Sequence, residues 1–235
     1  GKERKENSSD SMNCSYLGPE YSNEEIENIW VQPAAGDAGG ALGAALALWH
    51  IDLGKERNEN FSDNMNCSYL GPEYSNEEIK DTLMEIGANF KSLPKDDLLN
   101  FTIENLIKGN AIGWFQGKME FGPRALGNRS IIGDARSPDM QKKLNLKVKF
   151  RESFRPFAPS VLLEDANDWF DLNTESPYML LVGKVKKDKL IEGANNSESL
   201  KGLEKLNLVR SKIPAVTHVD NSARIQTVTN KNGIY

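Results

Sequence analysis

The sequence predicts a mixed fold, α/β or α+β, and three observations predict it. Two capped amphipathic helices lie in the middle of the chain, short apolar runs separated by turn residues follow them, and two more such runs lie near the C-terminus. With 235 residues and 38% hydrophobic content, the chain has the apolar surface for a real core, as one large domain or as a small domain beside a fragment. No apolar run approaches the roughly 20 residues of a membrane span. The polar start, with Lys2, Glu3, Arg4 and Lys5, lacks a signal-peptide core, so a cytoplasmic protein without a membrane partner is expected.

The first element in order is a small-residue helix. Gly36-Asp37-Ala38-Gly39-Gly40 opens it, and free amides at such a start favour phosphate. Asp37 is either its N-cap or a metal ligand, and the glycines and alanines behind it read as close helix packing. His50, further along the same helix, reads as a core-edge residue. Residues 1–26 and 54–79 are nearly one sequence, differing at Lys5 and Asn58, Ser8 and Phe61, and Ser11 and Asn64. Two copies are too few for a solenoid, which needs about three. Each copy carries one of the two cysteines, Cys14 and Cys67; neither has a Cys or His at ligand spacing, so free thiols are expected and a structural zinc is not.

Ser75 and Glu78 form a capping box for a helix with Ile79, Leu83 and Ile86 on one face and Gly87 as its stop. A second helix is predicted over 96–108, with Leu99, Ile103, Leu106 and Ile107 inward and Gly109 as terminator. Strands are predicted over 112–115, 130–132, 158–162 and 178–182, with short helices over 139–146 and 164–170. Residues 184–212 turn polar and read as a surface excursion. Final strands are predicted over 215–219 and 224–228.

The chemistry concentrates in Gly117-Lys118-Met119-Glu120-Phe121-Gly122-Pro123-Arg124-Ala125-Leu126-Gly127-Asn128-Arg129-Ser130, three cations and three glycines between two apolar runs. Glycines there let the backbone turn tightly or approach a ligand. Arg124 and Arg129 offer planar forks to phosphate or carboxylate and Lys118 a point charge; the alternative is a solvated loop with structural ion pairs. Downstream, His218 is read as part of a strand beside Thr217 and Asp220, with Arg224 a short turn away, a grouping able to bind a carbamoyl or phosphate group.

This wording, together with Lys149-Phe150-Arg151-Glu152-Ser153-Phe154-Arg155-Pro156-Phe157-Ala158-Pro159-Ser160 and the stretch from Pro214 to Val228, resembles the C-terminal domain of the O-carbamoyltransferase family of nodulation and antibiotic-tailoring enzymes. Val31 to Leu46 resembles the end of that family's other domain, an actin-like ATPase fold. The resemblance leaves the duplicated segment 1–26 of uncertain placement and implies an actin-like remnant at 27–53 and a YrdC-like mixed sheet with flanking helices at 54–235. In the family, the chain continues past the equivalent of Tyr235 into an Asn-Thr-Ser-Phe-Asn segment, so the YrdC-like domain is expected to be truncated here; Asn221 also stands where the family usually has Gly.

What the resemblance implies chemically is ATP-dependent formation of a carbamoyl adenylate from carbamoyl phosphate, then transfer to a hydroxyl of a sugar or secondary metabolite. Lys118, Arg124 and His218 become the expected catalytic residues, and Arg129, Ser130, Arg151, Arg155 and Arg224 the expected substrate contacts. ATP with Mg is the implied cofactor. Asp37 matches a ligand of the iron that the full-length family enzymes hold with a His-x-x-x-His motif; that motif is missing, the only histidines being His50 and His218. The chain is then expected to be an incomplete enzyme, with a small-molecule hydroxyl acceptor as partner and a homodimer left open. The alternative is a noncatalytic phosphate-binding or interaction module. The basic run from Lys142 to Arg155 keeps an RNA contact on the list, but a net charge of -5 argues against a nucleic-acid partner.

Overall fold

The computed structural model describes residues 32–56, 65–192 and 208–230. Its elements run α1 (Asp37–Ala47), α2 (Asn76–Glu85), α3 (Lys95–Ile107), β1 (Ile112–Phe115), β2 (Arg129–Ile132), α4 (Met140–Lys147), β3 (Ser160–Leu162), α5 (Ala166–Trp169), β4 (Phe170–Asp171), β5 (Leu181–Val185) and β6 (Ser222–Val228). β1 and β2 form an antiparallel hairpin, with Trp114 opposite Ser130. The other sheet has the order β3-β6-β5-β4, parallel between β3 and β6 and antiparallel elsewhere. The predicted α/β architecture, a mixed sheet with helices around it, is therefore the one observed.

β6 is central, and its two faces do different work because side chains alternate along a strand. Ala223 and Ile225 enter the main core with Phe170, Leu172, Val185, Ile213 and Val216. Ser222, Arg224 and Gln226 point the other way. That second face looks toward the turn between β1 and β2, since the Gln226 amide donates to the Leu126 carbonyl at 2.8 Å.

Several boundaries differ from the sequence reading. The strand predicted over 215–219 is absent: Pro214 starts a 3-10 turn, Pro214–Val216, and His218 sits in the bend before β6 rather than in a strand. β5 begins three residues late because Met179 adopts a left-handed backbone, φ 55°, which interrupts extended pairing. The helix predicted over 164–170 breaks into a 3-10 turn, Leu163–Asp165, and the single turn of α5, with Phe170 drawn into β4. The Ser75–Glu78 capping box forms as predicted. The predicted inward faces do not all hold, however: Ile86, Ile103 and Ile107 are exposed, while Thr102 is buried on α3 where that helix packs on β1. Of the excursion, Leu190 and Ser211 pair at its base. Cys14 and the first copy of the repeat lie outside the described residues.

Candidate functional site

Residues 116–128 form the turn that links β1 to β2, and its three glycines at 117, 122 and 127 all take positive φ. At Gly122 this has a second reason, because a Cβ there would run into Ala34, the residue that leads into α1. The turn is organised by one side chain. Glu120 is 6% exposed, and its Oε1 accepts hydrogen bonds from the amides of Leu126 and Asn128 at 2.8 Å and Arg129 at 3.0 Å. Gly127 gives its amide to Ser130 Oγ at 2.9 Å. The amides that the glycines gather are thus filled by an internal carboxylate and a hydroxyl, so an anion bound here must be held by side chains.

The second copy of the repeat clasps this turn from outside. Tyr69 bridges to Glu120, Gly71 donates its amide to the Met119 carbonyl, Met119 to the Pro72 carbonyl, and Phe121 to the Ser68 carbonyl. Tyr69 OH and the Gln226 amide both donate to the Leu126 carbonyl, at 2.7 and 2.8 Å. Gln226 is itself fixed by the Ser160 hydroxyl at 2.9 Å.

The predicted cations fall into two groups. Arg129 is wholly engaged: its Nη1 donates to the carbonyls of Gln116 and Asn128, its Nη2 to Gly117 and more distantly Pro72, and its guanidinium lies 3.5 Å over the Phe115 ring. It closes the base of the turn. Arg155 pairs with Glu152 at 2.8 Å on the surface, and Lys118 is exposed on the turn. Arg124, Arg151 and Arg224 behave otherwise. Arg224 is half-buried, and burial, with the nearby charges of Arg124 and Arg151, pushes its guanidinium below its ordinary pKa. None of the three makes an ion pair among the described residues. Arg124 Nε is buried without a hydrogen-bond partner. The three are close enough for Arg124 and Arg151 to act on Arg224 as like charges, while Glu152 feels the charge of Arg151 from the adjoining loop.

Arg151 owes its place to Asn145, a fully buried residue of α4 missed by the sequence reading. Asn145 Nδ2 donates to the Ser153 and Arg155 carbonyls, which shapes that loop, and its Oδ1 accepts from Arg151 Nε at 2.6 Å. Arg151 also sits 5.1 Å from the Phe157 ring. Phe157 in turn lines a cavity of about 340 Å³, mostly apolar, whose walls include Ile132, Met140, Ser160 and Val216.

His218 belongs to the same side of β6. Its amide donates to the Ser222 carbonyl and its Nδ1 lies 3.0 Å from Ser222 Oγ. Ser222 Oγ donates to Asp220 Oδ1 at 2.6 Å, and Lys184 Nζ reaches Asp220 Oδ2 at 3.0 Å. Partial burial works against the Asp220 carboxylate, yet the bonds from Ser222 and Lys184 outweigh it and hold its pKa at about 2. Burial lowers the His218 pKa; Asp220 opposes this, and Arg224 and Lys184 add to it. Asn221, in the bend between them, has φ 62°, a conformation that Asn tolerates better than most residues and Gly best.

Asp37 lies apart from these groups. It is exposed in the first turn of α1, whose N-cap is Gly36, not Asp37. His50 is partly buried, and its Nδ1 lies 2.8 Å from the Lys55 carbonyl. Among the described residues no group of three His, Cys, Asp or Glu side chains is placed to hold a metal ion, and no helix is long and apolar enough to cross a membrane. Of the residues missed, Glu120 left a sign: it is the one acidic residue between Phe115 and Ile132.

A family described as the carbamoyltransferase C-terminus matches residues 103–234, which hold the turn, α4 and β6 together. An uncharacterized protein of Synechocystis sp. is 53% identical over 220 residues, covering 93% of this chain and 36% of the relative. The nodulation protein NolNO of Sinorhizobium fredii is 39% identical, over 92% of this chain and 29% of its own length. The 3'-hydroxymethylcephem-O-carbamoyltransferase of Streptomyces clavuligerus is 32% identical, over 93% of this chain and 35% of its own length. The chain spans about a third of the length of the curated relatives it matches. Since the family match takes in more than half of the sequence and every arginine of the cluster, the chain belongs to the O-carbamoyltransferase family, through that family's C-terminal domain.

Proposed function

We propose that this chain provides the carbamoyl phosphate-binding and activating site of an ATP-dependent O-carbamoyltransferase whose acceptor is the hydroxyl of a sugar or secondary metabolite. The observation that carries the reading is that Arg224 feels the charges of Arg124 and Arg151 while none of the three makes an ion pair among the described residues. A phosphate dianion satisfies the orphaned Arg124 Nε and relieves the repulsion among the three guanidiniums. Lys118, exposed on the same turn, adds a mobile charge at the rim.

Activation follows from this placement. Water hydrolyses carbamoyl phosphate to carbamate, hydrogen phosphate and a proton; a carbamate oxygen then attacks the α-phosphorus of ATP, the bond to the β-phosphate breaks, and pyrophosphate leaves as carbamoyl adenylate forms. The arginines hold and neutralise the phosphoryl oxygens; the apolar cavity beside Phe157 is of a size to receive the nucleobase. Mg would travel with the ATP phosphates. The described residues do not assemble a ligand set for iron around Asp37.

The test is calorimetric titration of the purified chain with carbamoyl phosphate, with and without ATP and magnesium, followed by a search for carbamoyl adenylate by mass spectrometry. Saturable binding that strengthens with ATP supports the reading. No heat with carbamoyl phosphate or with inorganic phosphate at millimolar concentration contradicts it.

A further inference from the structure

The hydrogen-bond chain at the start of β6 has a direction, and the direction decides what His218 can do. Asp220 is a carboxylate and can only accept, so the 2.6 Å contact requires the Ser222 hydroxyl to donate its proton to Asp220 Oδ1. The backbone amide of Ser222 donates to that same oxygen at 3.1 Å, and Lys184 holds the other carboxylate oxygen at 3.0 Å. With its one proton committed, Ser222 Oγ can only accept from His218 Nδ1. The imidazole is therefore Nδ1–H, and its Nε2 carries the lone pair. Among the described residues no protein donor occupies Nε2. The charged groups acting on the ring are Asp220, Arg224 and Lys184, which places it beside the arginine cluster.

We propose that Ser222 and Asp220 are positioning residues that fix His218 in its Nδ1–H tautomer, so that Nε2 accepts a hydrogen bond from the amino group of the substrate and selects carbamoyl phosphate over acyl phosphates. This rests on the reading of the arginine cluster as the carbamoyl phosphate site. The phosphate ends of carbamoyl and acetyl phosphate are alike, so the arginines cannot tell them apart. What differs is an amino group in one where the other has a methyl. A fixed acceptor stabilises the first and leaves its own lone pair desolvated and unpaired against the second. A free-rotating tautomer would present an N–H half of the time and lose that discrimination. Burial lowers the His218 pKa, which keeps the ring neutral, and hence an acceptor, at neutral pH.

Two measurements test this. In the first, the chain is labelled with ¹⁵N-histidine; there are only two histidines, and a His50→Gln variant assigns them. The His218 ring should show a protonated Nδ1, and a protonated Nε2 with bare Nδ1 overturns the proposal without any ligand. In the second, calorimetry compares phosphonoacetamide with acetonylphosphonate, stable probes that differ only in amino against methyl. The expected result is a preference of about tenfold for the amide, largely lost in Ser222→Ala, retained in Ser222→Thr, and lost in the unmodified chain as acidification protonates His218. If both probes bind equally well to the unmodified chain, the proposal fails while the arginine site stands. If neither binds, the arginine site falls and takes this inference with it.

Discussion

Arg129, at the base of the turn where β2 begins, and the group of Arg124, Arg151 and Arg224 both come from the recognisable motifs, yet they are used in opposite ways. In the turn, Arg129 meets carbonyls on every side and a ring beneath it, and the loop amides meet Glu120. Arg224 of β6 feels the charges of Arg124 and Arg151, and its own charge acts on His218. The lesson is that charge alone does not identify a ligand site. A cation whose donors are already taken holds the fold; on the reading proposed above, a cation left beside other cations takes an anion.

The comparison breaks first at Glu120. Glu120→Ala leaves three amides of a buried turn without an acceptor and should destabilise the chain by about 3 kcal/mol or more, seen as a lower urea midpoint. Glu120→Gln keeps an oxygen in place and should lose less. Next comes Arg129→Ala, which frees carbonyls at the base of the turn and should cost about 2 kcal/mol in stability. Phosphate affinity of the folded fraction should change little. If instead Arg129→Ala abolished phosphate binding at unchanged stability, the division between the two regions would be wrong.

A smaller effect is expected from pH, and it should come from the β6 side. The His218 pKa in the fold is below its ordinary 6.5, so its contribution is complete above that value and is lost as pH falls through the lowered one. Asp220, at about 2 against 3.8, likewise contributes above 3.8 and loses its effect as pH falls through 2. Urea midpoints should therefore drop between pH 7.5 and 5.5, and His218→Asn should flatten that part of the profile. A rise on acidification over this range would contradict the assignment. The smallest effect concerns the repeat. The copy at 65–72 already clasps the turn, so removing residues 1–26 should leave the melting temperature nearly unchanged.

Local rules made much of this legible. The capping box at Ser75 and the hairpin strand at 112–115 appear where turn and periodicity arguments put them, because both are decided within a few residues. Met179 could not be read, since a left-handed residue with a large side chain is imposed by packing from elsewhere. The same holds for the exposed Ile103 and Ile107 of α3, whose apolar spacing looked like a core stripe. At the candidate site, sorting Arg129 from Arg224 needed partners that come from distant residues. Asn145, Gln226 and Ser222 escaped notice because neutral polar residues carry no pattern until their partners are known.

The most direct test sets Arg224→Ala beside Arg129→Ala in the same phosphate titration, with urea unfolding of each. Arg224→Ala should weaken phosphate binding about tenfold or more while leaving stability unchanged or higher, because one of three crowded charges is gone; Arg129→Ala should do the reverse. Retained affinity together with a clear loss of stability in Arg224→Ala would contradict the claim that the group of Arg124, Arg151 and Arg224, and not Arg129, holds the anion.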